Sequence, residues 1–186
     1  MKFLQKFIFI CLLLLIPNCV YGKSINILIN QIDGIQDSVR GSVQLFENSV
    51  MDFFFDAGFI VSSEKISLEK NIEKTVQIAL DSSVNGFIDF LVVAKVDVNP
   101  KTDELVSADW EVINVATAKI IGSGSMVAPK PYREKEVSIQ RFGVDVGSEI
   151  YSCIKGNCIL FLDYNVLRSY GRYFRPYILQ CQASDR

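Results

Sequence analysis

The chain has 186 residues, with 19 Lys/Arg against 21 Asp/Glu and a formal net charge of −2. It contains no histidine, which excludes Ser-His-Asp and Cys-His nucleophile systems, His-ligated zinc and imidazole pH switches together. The charge is unevenly spread. Residues 23–154 carry 12 basic and 19 acidic side chains (−7), while residues 155–186 carry five basic residues against Asp163 and Asp185 (+3). An acidic body with no basic face to track phosphates predicts no nucleic-acid partner.

Residues 1–22 read as an export signal. Lys2 and Lys6 give a positive start, residues 7–16 (FIFICLLLLI) are an unbroken apolar run, and Pro17-Asn18 breaks it. Val20-Tyr21-Gly22 then places short side chains at −3 and −1 of a cut before Lys23. Ten apolar residues are too few for a spanning helix, which needs about 20. A second ending is written in the same stretch: Ile16-Pro17-Asn18-Cys19 is a degenerate lipobox, which makes Cys19 a candidate lipidation site. The expectation is an exported chain, either periplasmic or tethered to a membrane of a bacterial envelope.

The mature part divides into residues 23–154, an α/β domain, and residues 155–186, a basic-aromatic tail. Residues 24–30 (SINILIN) read as an opening strand, and Asp33-Gly34 marks a turn. From Ser38 the period becomes helical: Val39, Val43, Phe46, Val50 and Phe53 recur at steps of three and four, and Gly58 ends the run. Phe59-Ile60-Val61 is a short strand. Leu68, Ile72, Val76, Leu80 and Val84 predict a second helix, N-capped by Ser67 and ended at Asn85-Gly86. Residues 87–98 (FIDFLVVAKVDV) read as a long central strand, followed by strands over 104–115 and 120–127 in an antiparallel meander. A last helix from about Arg133 carries Ile139, Phe142, Val146, Ile150 and Ile154; its Gly143 and Gly147 predict close packing against the sheet. The order is β-α-β-α-β-β-β-α, an α/β fold with helices on a mixed sheet.

Four places in this order resemble the periplasmic α/β domain of curli-secretion-channel (CsgG-type) and penicillin-binding-protein-activator (LpoB-type) lipoproteins, with a looser likeness to the TolB N-terminal domain. They are the Ile-rich strand before an amphipathic helix, the helix-to-strand junction Asp56-Ala57-Gly58-Phe59-Ile60-Val61, the strand entry Gly86-Phe87-Ile88-Asp89-Phe90-Leu91, and the hairpin Asn114-Val115-Ala116-Thr117-Ala118-Lys119. The family favours Asp where Asn114 stands and Gly where Ala118 stands. The resemblance implies a binding and assembly module whose partner is another envelope protein. It also implies that lipidation is common among relatives. The channel branch forms pores from long inserted hairpins, and this chain has no such pair outside the meander.

No cofactor, metal site or catalytic set is read from the residues. Mature cysteines are Cys153, Cys158 and Cys181; the Cys153-to-Cys158 spacing fits either a local disulfide around Gly156 or unpaired thiols, and it is not a C-x-x-C redox motif. Asp89, Asp97, Asp109 and Glu111 on the central strands are the candidates for a carboxylate-dependent envelope hydrolase. The competing reading is a solvated strand face with Trp110 buried behind it. Gly122-Ser123-Gly124-Ser125 lacks the Lys-Ser/Thr and helix start of a phosphate loop and reads as strand edge. The tail alternates Arg168, Tyr170, Arg172, Tyr173, Phe174, Arg175 and Tyr177, a composition suited to docking on a partner or a membrane surface, to packing on the domain, or to an unordered end.

Overall fold

The computed structural model describes residues 22–33, 38–130 and 134–156. It is an α/β fold of five strands and three helices: β1 (Ser24–Ile32), α1 (Gly41–Asp56), β2 (Ile60–Ser63), α2 (Glu73–Asn85), β3 (Phe90–Asn99), β4 (Glu104–Asn114), β5 (Lys119–Val127) and α3 (Lys135–Gly156). The single sheet has the order β2-β1-β3-β4-β5. β1 is parallel to β2 and β3, whereas β3, β4 and β5 form the antiparallel meander. Cys19, Cys158 and the tail from Arg168 to Tyr177 lie outside the described residues.

The chain steps outward from β1 to β2 and then back past β1 to β3. Because parallel crossovers are right-handed, these opposite steps send α1 and α2 to opposite faces of the sheet. The packing follows. On one face Ile25, Ile27 and Ile29 of β1, Val92 and Val96 of β3, and Trp110 and Val112 of β4 meet Val43, Phe46, Val50 and Phe54 of α1. Ile139, Phe142, Val146, Ile150 and Ile154 of α3 close the same core, and all five are the residues of the helical stripe read from the sequence. On the other face a smaller cluster joins Leu28, Leu91, Val93, Ile113 and Val115 to Ile72 and Ala79.

Four local expectations need correction. Gly143 and Gly147 pack against α1, not the sheet: a Cβ on Gly143 would lie 2.7 Å from Ser49 Cβ and 3.0 Å from the Phe46 carbonyl, and one on Gly147 would lie 2.8 Å from the Phe53 ring. The glycines let the two helices approach closely along the core. α2 begins at Glu73, and Ser67 is not its cap. Ser67 instead continues alongside β1, donating its N–H to Ile29 O at 2.8 Å and accepting from Gln31 N–H at 2.9 Å. β1 runs on through Ile32 because Gln31 is fully buried and satisfied: its side chain donates to Asp33 and to the Ser38 carbonyl and accepts from Arg40 N–H.

The fourth correction concerns Phe87, which does not open β3. The Ile88 N–H donates to Ser83 O at 2.9 Å and the Phe87 N–H to Val84 O at 3.2 Å. That pair of bonds is the Schellman closure of a helix, in which the residue after the C-cap turns left-handed and is usually glycine. Here Gly86 sits one position early at φ −84°, and Phe87 takes the left-handed position at φ +55°. The β4–β5 hairpin makes a similar choice: Ala118, in the place where the resembled family favours Gly, has φ +52°. Asn114 Oδ1 accepts from both Thr117 N–H and Thr117 Oγ1 at 3.0 Å and so holds that turn.

Candidate functional site

Two helices cover one face of the sheet, and α2 alone covers β1 and β3 on the other. Among the described residues, the second face of β4 and β5 is therefore bare beyond Ile113. Side chains alternate across a strand, so burying Ala108, Trp110 and Val112 turns Ser107, Asp109 and Glu111 outward. Register then fixes their neighbours. Lys95 lies opposite Asp109 and Val93 opposite Glu111 on β3, while Ser125 lies opposite Asp109 and Ser123 opposite Glu111 on β5. Lys95, Asp109, Glu111, Ser123 and Ser125 are all exposed, and Ser125 Oγ donates to Asp109 Oδ1.

The same register explains the glycines of β5. Gly124 is paired with Trp110, and a Cβ there would come 2.4 Å from the indole ring. Gly122 lies under α3, where a Cβ would meet Cys153 Cβ at 2.7 Å. Trp110 and Cys153 therefore occupy the space that side chains at these positions would need. The Gly-Ser-Gly-Ser stretch is an edge strand of the described sheet, with its serines outward. Cys153 is half-buried on α3, and its candidate partner Cys158 lies beyond the described residues.

The four candidate acids do not converge. Asp89 sits just before β3, where its carboxylate accepts from Ser24 N–H at 2.7 Å and Ser24 Oγ at 2.9 Å, and the Ser24 hydroxyl accepts from Asp89 N–H. This is a clamp that joins the start of β1 to β3. Asp97 lies eight residues further along, roughly 26 Å at 3.3 Å per residue. By register Asp97, Asp109 and Glu111 share the second face, where among the described residues nothing walls them in to set their environments apart. The carboxyls that burial pushes upward are elsewhere: Glu47 on α1, with the Ser63 side chain opposing the shift, and Asp145 on α3, with Arg141 opposing. Among the described residues no group of three or more His, Cys, Asp and Glu is placed to hold a metal ion, and no helix is long and apolar enough to cross a membrane.

One exposed feature was not anticipated from the sequence. Phe87 is 91% exposed in a backbone conformation that disfavours every side chain. Strain held at an exposed aromatic is a pointer to a contact surface, and the only sequence signal for it was an Asn-Gly pair one residue out of register with the helix end.

The described residues form an α/β domain with one sheet face covered by two helices and the other covered in part by a third. The chain belongs to the family described as "Uncharacterised protein", whose model matches residues 24–155. No curated protein matches it. Among solved structures it is similar to TolB from Acinetobacter baumannii at 16% identity and a TM-score of 0.45, over 73% of this chain and 29% of that one. It thus spans less than a third of TolB. It is also similar to a PelC dodecamer from Paraburkholderia phytofirmans (12% identity, TM-score 0.45, 72% of this chain and 87% of that one). A third likeness is to the LpoB C-terminal domain from Salmonella enterica (14% identity, TM-score 0.43, 61% and 87%). TolB and LpoB are two of the proteins named in the sequence resemblance.

Proposed function

We propose that this is an exported envelope accessory protein that acts by binding another envelope protein, without an enzymatic step. The observation that carries the reading is the one-sided cover of the sheet. An eleven-residue strand and a nine-residue edge strand hold Asp109, Glu111, Ser123 and Ser125 on solvent beside Lys95 of β3, at positions fixed by the backbone ladder. Side chains on paired strands are held more precisely than side chains on loops, as specific recognition requires. An antiparallel sheet can also leave one face simply hydrated, so the face is a binding site only if charge changes on it alter capture of a partner.

The export signal supports the location, and residues 155–186, with Arg168, Tyr170, Arg172, Tyr173, Phe174, Arg175 and Tyr177, are proposed as a second contact. Lipidation at Cys19 and a Cys153–Cys158 disulfide belong to the same proposal; intact mass of the exported chain reads both. The docking claim is tested by chemical crosslinking in envelope fractions followed by capture. Asp109→Lys with Glu111→Lys should abolish the crosslinked species, with folding checked by circular dichroism because Asp109→Lys sets a like charge opposite Lys95 and gives up the Ser125 hydrogen bond. Capture that survives this double charge reversal refutes the assigned face.

A further inference from the structure

A second surface lies at one end of the sheet. β1, β2 and β3 are parallel and start there, α1, α2 and α3 return the chain there, and β4 ends and β5 begins there. Contacts tie the pieces together. Ile60 N–H donates to Lys23 O at 2.9 Å and Val115 N–H to Asp89 O at 3.0 Å. Tyr151 of α3 meets Phe59 with ring centroids 6.0 Å apart. This end displays Phe87 at 91% exposure, Phe55 at 72%, Ile60 at 64% and Ile120 at 58%. Such side chains gain by leaving water.

Among the described residues, the charges at the same end are Lys23, Lys119 and Lys155 against Asp56 and Asp89. Lys155 Nζ lies 4.8 Å from the Tyr151 ring centroid and Lys23 Nζ 5.6 Å from that of Phe90. Lysines beside exposed aromatic and aliphatic side chains are the composition of a membrane-interface surface. The chain also enters here: Gly22 would place a Cβ 3.8 Å from the Ile60 side chain. Cys19 is only three residues before Gly22, a reach of at most about 11 Å. An acyl chain on Cys19 would hold this end, and no other, against a bilayer.

We infer that the Phe55–Ile60–Phe87–Ile120 end of the domain is a membrane-contact surface, selective for a bilayer carrying anionic lipid. The domain then stands end-on, with the bare face of β4 and β5 directed sideways to a protein partner. The strained Phe87 is the protruding anchor, and the lysines supply the salt-sensitive part of the attraction.

The test is flotation of the whole chain from residue 23 onward, which carries no acyl group, with vesicles of phosphatidylglycerol and phosphatidylethanolamine. Vesicles of phosphatidylcholine alone serve as the comparison. Binding is expected to the anionic vesicles and to weaken with salt. Phe87→Gly should cut the partition constant about tenfold, since a part-buried aromatic contributes on that order. Its melting temperature should not fall, so lost binding cannot be lost folding. Lys119→Gln should cost about fivefold, the weight of one lysine at an anionic surface. Equal binding to neutral vesicles, or full binding by both variants, overturns the inference. So does binding that disappears on removing residues 157–186 while Phe87→Gly leaves it untouched.

Discussion

Replacing Phe87 by glycine should stabilise the protein. A left-handed φ brings Cβ against the following carbonyl at a cost of about 1–2 kcal/mol, and Phe87 carries that cost at φ +55°. Glycine removes it but returns roughly 0.5–1 kcal/mol through the greater freedom of the unfolded chain. The ring is 91% exposed, so its removal forfeits little packing. The net gain is about 0.5–1 kcal/mol, or roughly 1–4 °C in melting temperature for a chain of this size. Ala118→Gly, at φ +52°, is the internal control and should gain a similar amount. Urea unfolding followed by circular dichroism measures both, and unchanged m-values show that the denatured state is the same. Phe87→Ala keeps the Cβ and should gain nothing. A loss of more than about 0.5 kcal/mol on Phe87→Gly, or an equal gain for Phe87→Ala, would refute the assignment of backbone strain.

The helix interface yields an inverted glycine effect. Gly143→Ala, which in an open helix gains about 1 kcal/mol, should here cost about 1–3 kcal/mol, because the new Cβ meets the Phe46 carbonyl and Ser49; chemical denaturation reads the sign. Gly124→Val should drive the chain's one tryptophan out of its site, with a red shift of fluorescence and a loss of about 1–3 kcal/mol. Burial raises the Glu47 carboxyl, so the folded state holds that proton more tightly than the unfolded chain. The contribution is full below about pH 4 and is lost as pH rises through the folded value. Glu47→Gln should therefore be neutral in acid and stabilising at pH 7, checked by melts across that range.

Much of the fold was legible because burial follows period. Ile139, Phe142, Val146, Ile150 and Ile154 could be read as one helical stripe, and all five are core. Trp110 between Asp109 and Glu111 could be assigned to the buried side of its strand by alternation alone. What failed depended on tertiary contact. Ser67 has the composition of a cap, but the edge of β1 offered its backbone better partners than a helix start did. The glycines of α3 announced a close approach without saying to what, since sheet and helix impose the same need for a missing Cβ. The apolar end was hidden because Phe55, Ile60, Phe87 and Ile120 are far apart in the chain and meet only where strand starts and helix ends come together. Phe87 was hardest to see, because Gly86 stands beside it and is the residue a helix ending normally uses.

The central claim, that the open face of β4 and β5 binds a protein partner, is tested most directly by a photo-crosslinking residue placed at Ser123, with one at exposed Asp52 on α1 as the reference. The account predicts a discrete heavier species in intact envelopes from position 123 alone, lost when Glu111→Lys is added. The same pattern from both positions, or a species indifferent to Glu111→Lys, would contradict it.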